Sequence, residues 1–161
     1  LRITLASIEP FALSVEEVDM EDLLGSLLKE LDGLIKEKGI DLKVSLPSSI
    51  PRLHGDEGLL NKAIGALLKH AVLSMPEGER LFLSMSDMND HLMITIRHKG
   101  EALSEDDLDQ FFFPRLTRRP GSAVLDLPLS KVIIHRHGGK VEVLRGDGNM
   151  IVFRIELPIF L

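Results

Sequence analysis

The sequence predicts an α+β fold: a two-layer α/β sandwich with one mixed, mostly antiparallel sheet and helices packed on one face. Two pairs of alternating apolar and polar segments flank the turn-rich stretches Asp87-Met-Asn-Asp90 and Gly146-Asp-Gly-Asn149, and both read as hairpins. Segments with apolar residues at helical spacing lie between the strand-like ones. The resulting order, β-α-β-α-β-β-α-α-β-β, pairs strands in hairpins and leaves the helices to cover a face.

Residues 1–18 alternate loosely around Pro10 and give a lead-in followed by a short strand near 11–18. Asp19 caps a helix with Glu21 and Asp22 in its first turn. The stripe Leu23, Leu24, Leu27, Leu28, Leu31, Leu34 and Ile35 gives it a core face, and Gly39 ends it. Ile40–Leu46 alternates as a strand, and Pro47–Pro51 is a connector. A second helix runs from about Asp56 to Leu73 on Leu60, Ala63, Ile64, Leu67, Leu68, Ala71 and Val72, until Pro76-Glu-Gly78 breaks the pattern. Arg80–Ser86 and His91–Arg97 form the first hairpin. Ser104 caps a short acidic helix through about Phe111, with Asp107 at near capping-box spacing. An irregular basic stretch, Pro114–Gly121, follows. The third long helix spans about Leu127 to Arg136, with Pro128 expected at its first position and Gly138-Gly139 at its end. Lys140–Arg145 and Met150–Leu157 form the second hairpin.

The 161 residues carry 44% hydrophobic and 27% charged side chains, which excludes a wholly disordered chain and is enough for one domain over 1–161 with its own core. The first residue is Leu1, so an excerpt of a longer protein is expected. No signal-peptide pattern is visible. No uncharged apolar run approaches the ~18 residues of a membrane span. With no Cys, disulfides, zinc-thiolate sites and cysteine nucleophiles are excluded. The net charge of −6 weighs against a nucleic-acid binder, and so does the lack of Trp and Tyr.

Three strings go further. Gly55-Asp56 leads into a helix containing Ala66-Leu-Leu-Lys-His-Ala71, then Pro76-Glu-Gly78. His98-Lys-Gly-Glu-Ala-Leu103 precedes an acidic helix and Phe112-Phe-Pro114. Gly121-Ser-Ala-Val-Leu-Asp-Leu127 precedes His137-Gly-Gly139. In this order and spacing the chain resembles the C-terminal ATP-binding domain of sensor histidine kinases, of the GHKL superfamily. The resemblance covers nearly the whole chain and implies the Bergerat-type version of the sandwich already predicted.

The resemblance also implies where nucleotide would lie, and there the chain departs from the family. The family's pair one helical turn apart, a polar residue that activates or orients and then an Asn that binds magnesium, is Ala66 and His70 here. Alanine has no ligand atom, and magnesium prefers hard oxygen ligands to imidazole. The adenine-binding Asp is His98; Gly100 remains, but the next glycine is Ala102. In the phosphate-cradling box Gly121 remains, while Ser122, Val124 and Asp126 replace glycines. Val resists positive φ, and Asp126 opposes a triphosphate by roughly 1–4 kcal/mol at ~4 Å. His70, His98, Gly100, Gly121 and Ser122 are therefore read as a vestigial nucleotide pocket, with no catalytic residue, no metal ligand and no cofactor. ATP and magnesium are expected only if the divergent site is competent.

Other residues weigh toward structure. His135 and His137 face different sides of a helix, and His137 suits a C-terminal cap. Two of Phe111–Phe113 are expected in the core, the leucine stripe at 23–35 likewise, and Asp106 and Asp107 at an exposed helix start. Arg115, Arg118 and Arg119 form a basic loop able to meet phosphate or an acidic partner.

The leading expectation is a degenerate ATPase-like module of two-component signalling, cytoplasmic, docking to an upstream dimerisation and phosphoacceptor bundle, a receiver domain or a partner kinase. Nucleic acid is not an expected partner, and the parent protein's membrane attachment stays open. A divergent but active kinase domain and a stand-alone adaptor are the alternatives.

Overall fold

The computed structural model describes residues 12–100, 104–112 and 126–160. In chain order the elements are β1 (Glu16–Val18), α1 (Met20–Glu37), β2 (Asp41–Ser45), β3 (Leu53–Gly55), α2 (Glu57–Ser74), β4 (Arg80–Asp87), β5 (His91–Lys99), α3 (Glu105–Asp109), α4 (Asp126–Arg136), β6 (Lys140–Arg145) and β7 (Met150–Pro158). A single 3-10 turn, Asp147–Asn149, joins β6 to β7.

The main sheet has the order β2-β4-β5-β7-β6. Among its described pairings only β2–β4 is parallel, and α2 lies in the crossover that such a pair requires. The other three pairings are antiparallel, so the sheet is mixed and mostly antiparallel as predicted. Strict alternation puts Leu92, Ile94, Ile96 and His98 of β5 on the covered face, beside Leu81, Leu83 and Met85 of β4 and Ile151, Phe153, Ile155 and Leu157 of β7. Leu60, Ala63, Ile64, Leu67, Leu68, Ala71 and Val72 of α2 are fully buried, and α2 touches α1, α4 and β5. Ser130 of α4 donates to the Ala63 carbonyl at 3.0 Å, a buried link between two helices.

The helix ends follow their expected chemistry. Asp19 accepts from the Asp22 N–H and Asp56 from the Leu59 N–H, both at 3.1 Å. Ser104 and Asp107 form the full reciprocal capping box. Gly39 (φ +63°) ends α1 in a Schellman turn, with Ile40 N–H on the Ile35 carbonyl and Gly39 N–H on that of Lys36.

Four expectations need correction. The strand expected near 11–18 is confined to Glu16–Val18 among the described residues. It pairs with β3, a strand the sequence reading missed, in a two-stranded ladder beside the main mixed sheet. α3 ends at Asp109, with Phe111 in the turn beyond it. Pro128 is the third residue of α4. It costs no hydrogen bond there, because the first four N–H groups of a helix have no intrahelical acceptor. No described helix is long and apolar enough to cross a membrane.

Candidate functional site

His98 stands near the end of β5, level with Leu81 and Ile151, and is 2% exposed. Its Nδ1–H donates to the Lys99 carbonyl at 2.8 Å. That leaves Nε2 as a buried acceptor with no partner among the described residues. Burial disfavours the imidazolium and holds the His98 pKa below the ordinary histidine value, with the Lys99 carbonyl opposing in part.

His70 lies four residues before the end of α2, half-buried. Its ring meets Phe111 edge-on at 5.3 Å between centroids and Phe153 at 6.1 Å. Phe153 also meets His98 at 5.8 Å and Phe111 at 5.4 Å. Phe112 packs edge-on to Phe111, with the Lys131 ammonium 5.8 Å from its centroid. The two histidines thus share Phe153, and Phe111 wedges against His70 from the turn after α3. Ala66, one turn before His70, lines a groove between α1 and α2 with Leu27, Leu31, Asn61 and Lys69. Gly100 is tightly flanked: a Cβ there would stand 3.2 Å from Ile151 Cγ1 and 3.4 Å from His98 Cε1.

Ala66 offers no donor, and the imidazole of His70 is embedded in aromatic contacts. Among the described residues, no group of three or more His, Asp or Glu side chains is placed to hold a metal. His98 is different, since its Nε2 can accept one hydrogen bond from a donor such as an exocyclic amine.

Gly121, Ser122, Val124, Arg115, Arg118, Arg119 and Phe113 lie outside the described residues, as do Leu103 and Leu125. The structure brings together His70, His98 and Gly100 of the expected pocket through Phe153 and Ile151. Phe111 is buried as expected, and Phe112 is half-buried against the core. Asp106 and Asp107 serve the start of α3, where Asp107 holds the Ser104 N–H at 3.0 Å.

Two of the three strings are structural where they are most family-like. His137 Nδ1–H donates to the Ile133 carbonyl at 2.9 Å, and its Nε2 accepts the Asp56 N–H at 3.0 Å. A Cβ on Gly55 would come within 2.9 Å of the His137 ring, and one on Gly139 within 2.3 Å of the Glu156 carbonyl oxygen. Gly138 (φ +73°) and Gly139 close α4 as Gly39 and Ile40 close α1. Sequence reasoning missed Lys38, whose ammonium donates to the carbonyls of Val72, Leu73 and Met75 at 2.8, 3.2 and 2.6 Å. It also missed Phe153, whose only signal was strand alternation.

A family model described as histidine kinase-, DNA gyrase B- and HSP90-like ATPase matches residues 55–159. Sporulation kinase E of Bacillus subtilis is 26% identical over 152 residues, which is 94% of this chain and 21% of that protein. The alginate biosynthesis sensor protein KinB of Pseudomonas aeruginosa is 28% identical over 149 residues, 91% of this chain and 25% of that protein. The chain thus spans a quarter or less of these two relatives. Among solved structures, the catalytic domain of histidine kinase ThkA superposes with a TM-score of 0.84 at 20% identity, covering 91% of this chain and 97% of that one. The Acinetobacter baumannii histidine kinase AdeS gives 0.79 at 18% identity, covering 96% and 73%. These likenesses establish the fold. Together with the family match, they place the chain in the histidine kinase-, DNA gyrase B- and HSP90-like ATPase family, as a homologue of sensor histidine kinase catalytic domains.

Proposed function

We propose that the domain works in two-component signalling as the ATPase-like part of a sensor histidine kinase. In this reading its pocket does not hold Mg-ATP productively, and it acts as a cytoplasmic regulatory or docking module. The observation that carries this is the ring of His70 packed against Phe111 and Phe153, where the resemblance places a magnesium ligand. Phosphoryl transfer depends on a metal bridging the terminal phosphates, and Ala66 with His70 supplies no oxygen to seat one. The partners would be an upstream dimerisation and phosphoacceptor bundle, a receiver domain or another kinase. The similar kinase ThkA has been solved in complex with the response regulator TrrA, which supports a receiver as one such partner.

Calorimetric titration with ADP and a non-hydrolysable ATP analogue, with and without magnesium, tests the reading. The expected result is no magnesium-dependent saturation at millimolar nucleotide. Magnesium-dependent micromolar binding would overturn it and make phosphotransfer to an upstream histidine the leading function. A second reading has its own observation, the buried Nε2 of His98, which has no partner among the described residues. It takes the purine through one accepted hydrogen bond without metal, and metal-independent binding that His98→Phe abolishes would favour it.

A further inference from the structure

The face of the main sheet turned away from the helices carries a feature that the nucleotide pocket does not use. Strand register aligns Lys43, Phe82, Arg97, Val152 and Leu144 in one row across all five strands. Phe82, Val152 and Leu144 are half-buried, and Lys43 and Arg97 are exposed. The Arg97 guanidinium lies 4.5 Å from the centroid of the Phe82 ring. No carboxylate within ion-pair distance of Arg97 is found among the described residues. Beside the row, Gly78, Glu79, Arg80, Phe82, Lys99 and Met150 line an open concavity of about 320 Å³.

The charge at this corner runs against that of the chain. Lys43, Arg80, Arg97 and Lys99 gather there with Asp41 and Glu79, in a protein of net charge −6. The internal pairing is loose: Asp41 is 3.5 Å from Lys43 and 3.3 Å from Arg80, and Glu79 is 4.0 Å from Lys99. Such exposed pairs hold by little and exchange readily for a better carboxylate. Arg97 is pre-organised by its stacking, and its planar fork suits a carboxylate.

We infer that this corner of the open sheet face docks an acidic polypeptide segment that carries an apolar side chain. Val152 and Leu144, neighbours in the row, take the apolar residue, while Arg97, held on the Phe82 ring, meets the flanking carboxylates together with Lys99 and Arg80. A nucleic-acid backbone fits less well, because it offers no apolar anchor and the acidic remainder of the chain repels an extended polyanion. The site stands apart from the pocket of His70 and His98 and does not depend on whether nucleotide binds there.

The test is fluorescence anisotropy at low salt with a labelled oligoglutamate peptide holding one central Leu. Competition uses the same peptide with Ser for Leu, a single-stranded oligonucleotide and anionic phosphatidylserine vesicles. The expected result is saturable binding that weakens with salt, weakens on replacing Leu by Ser, and falls about two- to fivefold in each of Arg97→Gln and Lys99→Gln. Lys36→Gln, on the outer surface of α1, leaves it unchanged. Absence of binding, wild-type affinity in both Arg97→Gln and Lys99→Gln, or stronger binding of the oligonucleotide or vesicles overturns the inference. So does self-association in sedimentation that Arg97→Gln abolishes, because the face would then pair two copies of this chain.

Discussion

The Nε2 of His137 accepts the backbone N–H of Asp56 at 3.0 Å, joining the end of α4 to the start of α2 across 81 residues of sequence. With Nδ1–H on the Ile133 carbonyl, both ring nitrogens are committed and the tautomer is fixed. The ring also lies on Gly55, which leaves no room for a side chain there. Two strings of the family pattern are therefore one contact.

Replacing His137 by Ala is expected to cost about 2–3 kcal/mol, since it orphans a part-buried N–H and leaves a cavity. Urea denaturation measures this. A loss under about 0.5 kcal/mol, the range of ordinary surface substitutions, would mean the contact is dispensable.

Gly139→Ala places a methyl 2.3 Å from a backbone oxygen, not from a side chain that can swing away. The expected cost is about 2 kcal/mol or more, from displacement of α4 relative to β7. Gly25→Ala, with nothing within 4 Å of its Cβ, is the matched control and is expected to be neutral or stabilising.

Lys38 serves the far end of α2. Its ammonium covers three carbonyls there, and Ser74 covers that of Ala71 at 3.2 Å. Lys38→Met keeps the stem and removes the donors, and is expected to cost about 1–2 kcal/mol. Hydrogen exchange should show the loss concentrated in the last turn of α2; uniform loss would assign Lys38 a different role.

His98 gives a pH dependence of known sign. Its folded pKa is depressed, so below the ordinary value of about 6.5 the unfolded chain takes up a proton that the folded one refuses. Stability is lost as pH falls from about 6.5 towards the folded value and is unaffected well above about 6.5. Denaturation midpoints of wild type and His98→Phe should therefore diverge between about pH 7.5 and about pH 5.5, with the variant flatter. Parallel curves would exclude a buried neutral His98.

Phe111→Ala removes the wedge beside His70. It is expected to destabilise by about 3 kcal/mol and to raise ADP affinity if that ring is what fills the pocket. An unchanged titration would place the obstruction elsewhere.

Much of this was legible in the sequence. The leucine stripe of α1, the Ser104–Asp107 box and the Gly39 turn are local, and local patterns carry them. The β1–β3 ladder was not, because its three residue pairs are non-local and Leu53–Gly55 is too short to show an alternation of its own. Pro128 was misplaced by two residues because helix starts tolerate proline throughout the first turn. At the site, the replacements at Ala66, His70 and His98 were visible as changes of chemistry. That Phe111 and Phe153 meet between them was not, because no spacing brings a residue after α3 onto β7. Lys38 was hidden for the same reason: its acceptors are 34–37 residues away.

Asp56 also behaves as a rivet. One carboxylate oxygen caps α2, while the other holds the Ser14 N–H at 3.0 Å, just ahead of the β1–β3 ladder. A tug on Ser14 is borne in shear by three residue pairs and by the same side chain that starts the helix bearing His70. The start of that helix and the segment ahead of β1 are thus tied together by one side chain as well as by the ladder.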